Sequence, residues 1–545
     1  MTFQEFIDSM GLVDSFPPKV LKSLANIPSE VKEEDKKGRR DFRDLQIVTI
    51  DGDDSKDFDD AVSLEMLENG NFYLGVHIAD VSHYVTEGSE LDREAFNRGT
   101  SVYLINHVLP MLPPELSNGI CSLNPKLDRL TLSCLMEING AGAVVNYDIC
   151  ESVINSCERM TYKNTQKVLD GDPAMHKRYE HVADMFFMME KLAKILEKKR
   201  IKRGSIMFEF PEPYIVCDDN DKPISIEKYE IQQSNKIIEE FMLIANETIA
   251  RHMNNLNLPL VYRVHENPDP EKIAKFSEML GTYGLKLNKD ANGTVRPKDM
   301  QDILDQIKGK EYELAISTMM LRSLMKAKYS PNELGHFGLA AKYYCHFTSP
   351  IRRYPDLIVH RIVKDWLHGK IDEKRKHFLE SFTAVAAEQS SEREILSMQA
   401  ERDWDDLKKA EFMEDKLGEE FDSFVASVTS FGLFVQLDNL VEGLVHIREL
   451  QGDYYIFDEV NQILRGKHTG TEYRIGDKMK VKLVRVNVEL SQVDFVPVDN
   501  EPKENKTTST SPKPEKKEPS SHREHVKKTG KHKQKNKDKS KRKKR

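Results

Sequence analysis

The sequence lacks the marks of several large classes of protein. No apolar run approaches the length of about 18 residues that a membrane-spanning helix needs, and the first ten residues, MTFQEFIDSM, lack the basic-then-apolar pattern of a signal peptide. The six cysteines form no CxxC pair, which favours reduced core thiols over disulfides or zinc ligands. We therefore expect a cytoplasmic protein with no membrane partner.

Nucleotide-binding fingerprints are missing as well. Neither GxxxxGK[ST] nor GxGxxG occurs, so nothing points to an ATPase or to a dinucleotide-dependent enzyme. The composition, with 39% apolar and 31% charged residues among 545, is typical of a soluble globular protein. A chain of this length has room for about two to four domains.

Negative charge predominates, but it is unevenly distributed. The net charge is −9, while residues 501–545 carry 18 Lys and Arg against six Asp and Glu. This tail is therefore +12 and the rest of the chain is −21. Because the tail is almost without apolar residues, we expect it to be disordered and to bind polyanions. Nucleic acid is the natural partner.

The most informative stretch is IVTIDGDDSKDFDDAV at residues 47–62. Six aspartates lie between Asp51 and Asp60, and apolar residues flank them on both sides. The apolar run before them predicts a buried strand, so the acids follow its C-terminal end. Closely spaced carboxylates cannot all stay ionised unless a cation neutralises them or their pKa values rise. Oxygen ligands of this kind suit Mg²⁺, with Mn²⁺ as the alternative, beside a substrate phosphate.

Other interpretations of the acidic stretch compete with a metal site. A solvated surface loop is one, although such loops are rarely clamped between apolar runs. A calcium loop starting at Asp51 requires glycine at its sixth position and glutamate at its twelfth, where this chain has Lys56 and Val62, so it is excluded. We predict a metal-dependent phosphodiester site in which two carboxylates bridge metal and another orients or deprotonates water. The expected residues are Asp51, Asp57, Asp59 and Asp60.

A cation for the transition state is predicted in FTSPIRRYPDLIVHR at residues 347–361. Arg352 and Arg353 lie there in a proline-punctuated turn before a helix, and the planar guanidinium suits phosphate better than a lysine does. The alternative is a salt bridge to Asp356 at the start of the helix, which fits one arginine of the pair.

Residues 417–498 change character, to short apolar runs separated by glycine and polar turns. This spacing predicts a small closed barrel. Phe431, Phe434 and His446 are candidates for stacking on bases, a contact generally worth about 1–3 kcal/mol. The alternative is that the barrel core takes one or two of these rings.

Four segments are predicted in all. They are a short helical lead-in and linker at 1–40, a mixed α+β catalytic domain at 41–416, the all-β barrel at 417–498 and the disordered basic tail at 499–545. Helical spacing predicts helices at 237–253 and 356–367 and a long helical stretch over 378–416.

Seven motifs in a consistent order resemble the RNB catalytic domain of the ribonuclease II/ribonuclease R family. They are DGDDSKDFDDAV (51–62), HIADVSHYV (77–85), MLPPELSNGICSLNP (111–125), RGSIMFEFPE (203–212), IIEEFMLIAN (237–246), YRVHENPDP (262–270) and FTSPIRRYPDLIVHR (347–361). The segment SVTSFGLFVQLDNLVEGLVHI (427–447) resembles the S1-type OB-fold of that family. The basic tail makes the resemblance to ribonuclease R closer than that to ribonuclease II.

The resemblance implies a hydrolytic, processive 3′→5′ exoribonuclease that uses Mg²⁺ and releases nucleoside 5′-monophosphates in RNA turnover and quality control. The four aspartates named above match the family's catalytic aspartates, with Asp59 indispensable and Asp51, Asp57 and Asp60 expected on the metal. Arg352 matches the catalytic arginine. The expected RNA contacts are Tyr103 and Tyr162 at the 3′-terminal nucleotides, Phe208 or Phe210 as an opposing clamp, Glu240 or Glu239 near the terminal ribose, Arg353, and Glu401 as a weaker match.

Some expectations stay open. For Tyr103 and Tyr162 the alternative is an ordinary core tyrosine. Family members usually carry one or two cold-shock OB-folds before the catalytic domain, and residues 1–40 cannot hold one, so we expect a truncated chain or a short homologue. Single-stranded RNA is the expected partner, with structured RNA and the ribosome or RNA-decay machinery as further candidates. The alternative function is a catalytically inactive RNA-binding or ribosome-associated factor.

Overall fold

The computed structural model describes residues 1–208 and 210–498, and its largest element is a seven-stranded sheet. The order of the strands is β1-β8-β7-β4-β3-β2-β9, with parallel pairing only between β1 and β8 and between β2 and β9. The strands as far as residue 161 are β1 (Arg40–Asp41), β2 (Val48–Asp51), β3 (Asp60–Met66), β4 (Phe72–Ala79), β5 (Val102–Leu104), β6 (His107–Leu109), β7 (Asp128–Ile138), β8 (Val144–Asn155) and β9 (Glu158–Thr161). Strands β5 and β6 form a separate hairpin.

Helices cover the sheet and bury its apolar side chains. The main core joins strands β3 and β4 to three long helices, which is why β4 is buried along nearly its whole length. The helices are α1 (Phe3–Ser9), α2 (Pro18–Ser23), α3 (Val81–Tyr84), α4 (Glu90–Arg98), α5 (Tyr162–Leu169), α6 (Pro173–Arg178), α7 (Glu180–Arg203), α8 (Gln233–Asn255), α9 (Pro270–Thr282), α10 (Pro297–Ile307), α11 (Glu313–Ser323), α12 (Tyr354–Leu367) and α13 (Glu373–Glu414). The three predicted helical stretches thus correspond to α8, α12 and α13.

Two short antiparallel pairs connect these helices. Strands β10 (Glu212–Cys217) and β11 (Pro223–Tyr229) form a hairpin that lies along α13, and β12 (Tyr262–Val264) pairs with β13 (Lys328–Ser330). Helices α9, α10 and α11 enclose a smaller apolar core of their own.

The C-terminal strands close into a barrel of five, in the order β14-β15-β16-β21-β20. Three further strands, β17 to β19, form a small separate sheet. The bounds are β14 (Glu420–Thr429), β15 (Gly432–Leu437), β16 (Glu442–His446), β17 (Tyr455–Asp458), β18 (Ile463–Gly466), β19 (Glu472–Arg474), β20 (Lys478–Asn487) and β21 (Gln492–Pro497). A mixed α+β body followed by an all-β barrel confirms the predicted fold class.

The long helix α13 links the parts of this body. In its C-terminal third, the buried Trp404 packs with Phe6 of α1 and with the strands of the β5–β6 hairpin. At its end, Ala410 and Met413 join the core of the barrel. The N-terminal helix and the barrel are therefore both held by one element.

Two predictions concern regions or properties beyond these elements. None of the helices in the described part of the chain has the length and apolar character needed to cross a membrane. The predicted disordered basic tail, residues 499–545, lies outside the described residues.

The barrel core has no room for one additional methyl group. A Cβ at Gly443 in β16 would come within 2.6 Å of the Val493 carbonyl oxygen and would also collide with the ring of Phe495. We expect Gly443→Ala to lower the free energy of unfolding by about 1–3 kcal/mol, because overpacking forces the barrel strands apart. Chemical denaturation measures this change. Gly140→Ala is the matched control, since its Cβ would meet no atom within 4 Å, and equal losses in the two variants would contradict the prediction.

Candidate active site

The acidic loop, residues 51–60, joins the end of β2 to the start of β3. Phe58 anchors it: the ring is buried, and the Phe58 N–H donates to Ser122 Oγ at 3.0 Å. The Ser122 hydroxyl donates in turn to the Lys56 carbonyl at 2.7 Å. Arg159, on the neighbouring strand β9, donates to the carbonyls of Gly52 and Asp53 at 2.7 and 2.8 Å. These contacts turn the chain sharply, so that carboxylates at both ends of the loop converge.

Asp59 links this loop to a segment almost 300 residues further along the chain. Its side chain is buried, and Oδ1 accepts the Ile351 N–H at 2.8 Å. Its other oxygen, Oδ2, has no hydrogen-bond partner and lies 3.6 Å from Arg352 Nε. Burial raises the pKa of Asp59 well above its ordinary value, against the opposing effects of Arg352 and the Ile351 N–H. The carboxyl is thus held in place with one oxygen left for another partner.

The other aspartates influence one another electrostatically. Burial, followed by the charges of Asp60 and Asp57, raises the pKa of Asp51 well above its ordinary value. Burial raises the pKa of Asp60 to about 6, although Arg352 and Arg353 oppose the shift. The nearby guanidinium groups therefore do not offset the effect of burial on these two carboxyls.

Both predicted tyrosines lie beside these carboxylates. The Tyr103 hydroxyl donates to Asp57 Oδ2 at 2.7 Å, and the residue remains 38% exposed, which argues against an ordinary core tyrosine. Burial raises the pKa of Tyr162, with further contributions from Asp60 and Asp51. Tyr162 begins α5, directly after strand β9, so its neighbourhood to Asp51 follows from the parallel pairing of β9 with β2.

The two arginines have different partners. Arg352 donates to Ser349 Oγ at 3.1 Å and faces Asp59. Arg353 donates to Asp356 Oδ1 at 2.7 Å, which is the salt bridge at the helix start that the sequence offered as the alternative for one of them. Asp356 also accepts the Ser349 N–H at 2.7 Å. This buried aspartate therefore shapes the turn that presents Arg352.

The predicted clamp and ribose contact form two separate groups of contacts. The rings of Phe208 and Phe210 are stacked with centroids 5.8 Å apart, and both line a cavity of about 1030 Å³ between the helices and the barrel. Glu240 is buried and bound by Arg200, whose Nε and Nη2 donate to it at 2.8 and 2.6 Å. Burial raises the pKa of Glu240 to about 6. Arg200 Nη2 also contacts Glu239 Oε1 at 3.3 Å, but the Glu239 side chain is half exposed.

The candidate rings of the barrel lie near one another but differ in exposure. Phe431 is 47% exposed, so it is not part of the barrel core, and its ring meets that of Phe434 edge-on at 5.9 Å. Phe434 and His446 are partly buried, and His446 Nδ1 accepts the Arg448 N–H at 3.2 Å. Leu433 and Val435 fill the core between these positions.

Several residues that shape the site were missed from the sequence. Ser122 and Arg159 hold the acidic loop, and Asp356 holds the arginine turn in addition to its salt bridge. Sheet pairing and loop packing bring the first two into place over long separations, so no local spacing marks them. Glu401, a weak match by motif, accepts the Tyr103 N–H at 3.3 Å.

The residues fit a divalent cation in the chemistry of their donors. Carboxylate oxygens are the ligands that Mg²⁺ prefers, burial and the charges of Asp60 and Asp57 raise the pKa of Asp51, and Asp59 Oδ2 is buried without a hydrogen-bond partner. Within residues 1–208 and 210–498, no three His, Cys, Asp or Glu side chains already have the spacing of a shared metal ion.

Comparison with known proteins agrees with this architecture. The RNB domain family model matches residues 39–369, and the S1 RNA binding domain model matches residues 414–495. Ribonuclease R 1 of Lactococcus lactis is 46% identical over 491 residues, covering 90% of this chain and 60% of the relative. Ribonuclease R of Thermotoga maritima is 45% identical, covering 89% of this chain and 68% of the relative. The solved structure of Mycoplasma genitalium RNase R with ribose-methylated single-stranded RNA matches with a TM-score of 0.84 at 30% identity, over 91% of this chain and 77% of that one.

The fold and the site define an RNB-domain protein with a C-terminal S1 domain. More narrowly, the chain belongs to the ribonuclease R family. It spans about 60% of the length of its Lactococcus lactis relative.

The raised pKa of Asp60 predicts a measurable effect on stability. The folded protein holds the Asp60 proton more tightly than the unfolded chain, so stability falls as the pH rises from about 4 to about 6 and stays lower above that. In metal-free buffer at pH 8 we expect Asp60→Asn to be more stable than the native chain by about 1–3 kcal/mol, since the amide never ionises. Urea unfolding measures the difference, which should vanish below about pH 4.

Asp54→Asn is the control, because Asp54 lies exposed on the same loop. A gain for Asp54→Asn as large as that for Asp60→Asn would show that the effect comes from general charge reduction. If Asp60→Asn were no more stable than the native chain at pH 8, the raised pKa assigned to Asp60 would be contradicted.

Proposed function

We propose that the chain is a hydrolytic, processive 3′→5′ exoribonuclease that releases nucleoside 5′-monophosphates. One observation carries the proposal: Asp59 lies 3.6 Å from Arg352 while two further aspartates share its surroundings. Carboxylates that hold water and a cation, opposite an arginine that neutralises a phosphate, are the arrangement that phosphodiester hydrolysis requires. Membership of the ribonuclease R family supports the direction and the substrate.

Asp59 acts on the attacking water. The Ile351 N–H fixes its carboxyl, and the unpartnered Oδ2 accepts a hydrogen bond from water and then its proton. A pKa raised by burial makes this carboxylate a stronger base than an exposed aspartate. Arg352 binds the non-bridging oxygens of the scissile phosphate, where negative charge develops as water attacks.

Asp51, Asp57 and Asp60 would hold Mg²⁺, with Mn²⁺ as the alternative. When bound, the ion supplies positive charge that lets the three carboxylates stay ionised together and that polarises the phosphate. Tyr103 keeps Asp57 oriented through its 2.7 Å hydrogen bond, so this carboxylate is held in one orientation.

The RNA contacts surround these groups. Tyr103 and Tyr162 meet the 3′-terminal nucleotides and Phe208 supplies the opposing ring, with Arg353 behind Arg352 adding positive charge. Arg200 contacts both Glu240 and Glu239, and Glu239 is the more exposed of the two, so Glu239 is the better candidate for a contact with the ribose 2′-hydroxyl, the group that separates RNA from DNA.

The barrel binds RNA before it reaches the site. Phe431 and Phe434, whose rings face solvent in part, offer platforms for bases, and His446 lies on the next strand. Single-stranded RNA is the partner that fits, and structured RNA, the ribosome or RNA-decay machinery in the cytoplasm are further candidates. The solved Mycoplasma genitalium relative carries single-stranded RNA, which supports the same class of ligand here.

Asp59→Asn tests the role of the unpartnered oxygen. The amide keeps the size of the side chain but cannot take a proton, so we expect nucleotide release to fall at least about a hundredfold. RNA binding should change little, because Asp59 is buried and offers little surface to the RNA. Gel shortening of 5′-labelled single-stranded RNA measures release, and filter binding measures affinity. Retained turnover would remove Asp59 from the mechanism.

Removal of divalent cations tests the metal and the substrate class together. EDTA should stop shortening of the labelled RNA, and Mg²⁺ or Mn²⁺ should restore it, while DNA of matching sequence should stay intact. RNA that is bound but never shortened under any of these conditions would favour the inactive RNA-binding alternative. Shortening that continues in EDTA would contradict the metal assignment.

A further inference from the structure

The Tyr103 hairpin, residues 102–109, reaches the acidic loop through a single side chain. The Tyr103 hydroxyl donates to Asp57 Oδ2 at 2.7 Å. Elsewhere a cavity of about 1310 Å³ separates the two segments, with residues 53–57 on one side of it and residues 104–108 on another. The position of Tyr103 therefore depends also on contacts outside the acidic loop, among them the Tyr103 N–H, which donates to Glu401 of α13 at 3.3 Å.

At its base, the hairpin is joined to the arginine turn. The Ser101 N–H donates to the Arg352 carbonyl at 2.9 Å, and the Tyr354 N–H donates to the Gly99 carbonyl at 2.9 Å. The backbone of Arg352 and the start of the hairpin therefore move together. The strands of the hairpin pack against Trp404 of α13, and further contacts hold its far end, which carries residues 105–107.

The turn between β10 and β11 fixes that far end. Asp221 accepts the Asn106 side-chain amide on Oδ1 at 3.1 Å, and its Oδ2 is 2.7 Å from His107 Nε2. Burial opposes ionisation of Asp221, yet the hydrogen bonds from His107 and Asn106 outweigh it and lower its pKa. A single carboxylate thus binds two adjacent residues of the hairpin, Asn106 and His107.

Helices α1 and α13 close the other sides. The ring of Phe3 stacks on His107 with centroids 3.8 Å apart and an angle of 13° between the planes. Trp404 Nε1 donates to the Ile105 carbonyl at 3.3 Å, and Lys408 Nζ donates to the Asp221 carbonyl at 2.8 Å. Phe3 lies outside the residues matched by either domain model, so this support comes from a part of the chain that neither model describes.

We propose that His107 and Asp221, supported by Phe3, are positioning residues that hold Tyr103 against Asp57 and so keep the carboxylate oriented. The inference rests on the proposed exoribonuclease function. None of the three is one of the aspartates or the arginine of the site, so the proposal assigns them an effect through the hairpin. Small displacements of a catalytic group reduce rates steeply: about 1 Å can cost a hundredfold.

A double-mutant cycle tests this coupling. Asp221 has φ 61°, so glycine removes its side chain without the backbone strain that alanine would add. We expect Asp221→Gly to lower kcat about tenfold on single-stranded RNA with KM changed less than about twofold, because orientation of Asp57 matters to the chemical step more than to binding. In a Tyr103→Phe background, Asp221→Gly should have no further effect, since the hydroxyl it positions is already gone.

Three further variants serve as checks on this result. Asp221→Asn keeps a side chain that can bond both Asn106 and His107, and it should recover most of the lost kcat. Phe3→Ala removes the supporting ring from the end of the chain and should couple to Tyr103→Phe in the same way, which keeps the test usable if Asp221→Gly does not fold. His368→Gln is the control: it breaks an equally short histidine–carboxylate pair, 2.7 Å from Glu151, outside the site, and should leave kcat unchanged.

The outcomes separate this inference from the proposed function. A native chain that shortens no RNA sinks the proposed function. Two results with an active native chain would overturn the positioning role alone. In the first, Asp221→Gly and Phe3→Ala have the kcat of the native chain. In the second, they lower kcat by the same factor with and without the Tyr103 hydroxyl. Coupled losses with rescue by Asp221→Asn support it.

Discussion

The structure depends on one hydrogen bond between distant parts of the chain. The Ile351 N–H donates to Asp59 Oδ1 at 2.8 Å, across 292 positions of sequence. Asp59 is buried, so the bond exists in a medium where an unpaired carboxylate is costly. It brings the acidic loop and the arginine turn to one place, and it leaves the second oxygen of the carboxyl without a partner.

Further hydrogen bonds and packing contacts around this bond each hold one segment of the site in place. Ser122 and Phe58 shape the acidic loop, and Asp356 shapes the arginine turn. The Tyr103 hairpin is joined to the arginine turn at its base and gripped by Asp221 at its tip. In a site built in this way the ionisation of buried carboxyls is unfavourable, as the raised pKa values of Asp51, Asp59 and Asp60 indicate. Such shifts are typical of functional sites, where stability is given up for chemistry.

Much of the architecture was predictable because its signals are local. Helical spacing predicted α8, α12 and α13, and short apolar runs between turns predicted the closed barrel. The acidic stretch and the arginine pair were recognisable because unusual residue types are concentrated in short segments. The fine assignment was less accessible. The sequence favoured Glu240 with Glu239 as the alternative; in the structure Arg200 contacts both carboxylates, and they differ in exposure.

The sequence by itself determined which residues are candidates for the chemistry and the order of the domains, since composition and short-range spacing record both. Only the tertiary structure decided how those residues meet. Arg353 binds Asp356, while Arg352 faces Asp59. Tyr103 donates to Asp57 from a hairpin that Phe3 and Asp221 contact. The physical reason is that these contacts join segments separated by tens to hundreds of residues. Sheet register, helix packing and burial choose such partners, and no local pattern in the chain encodes them.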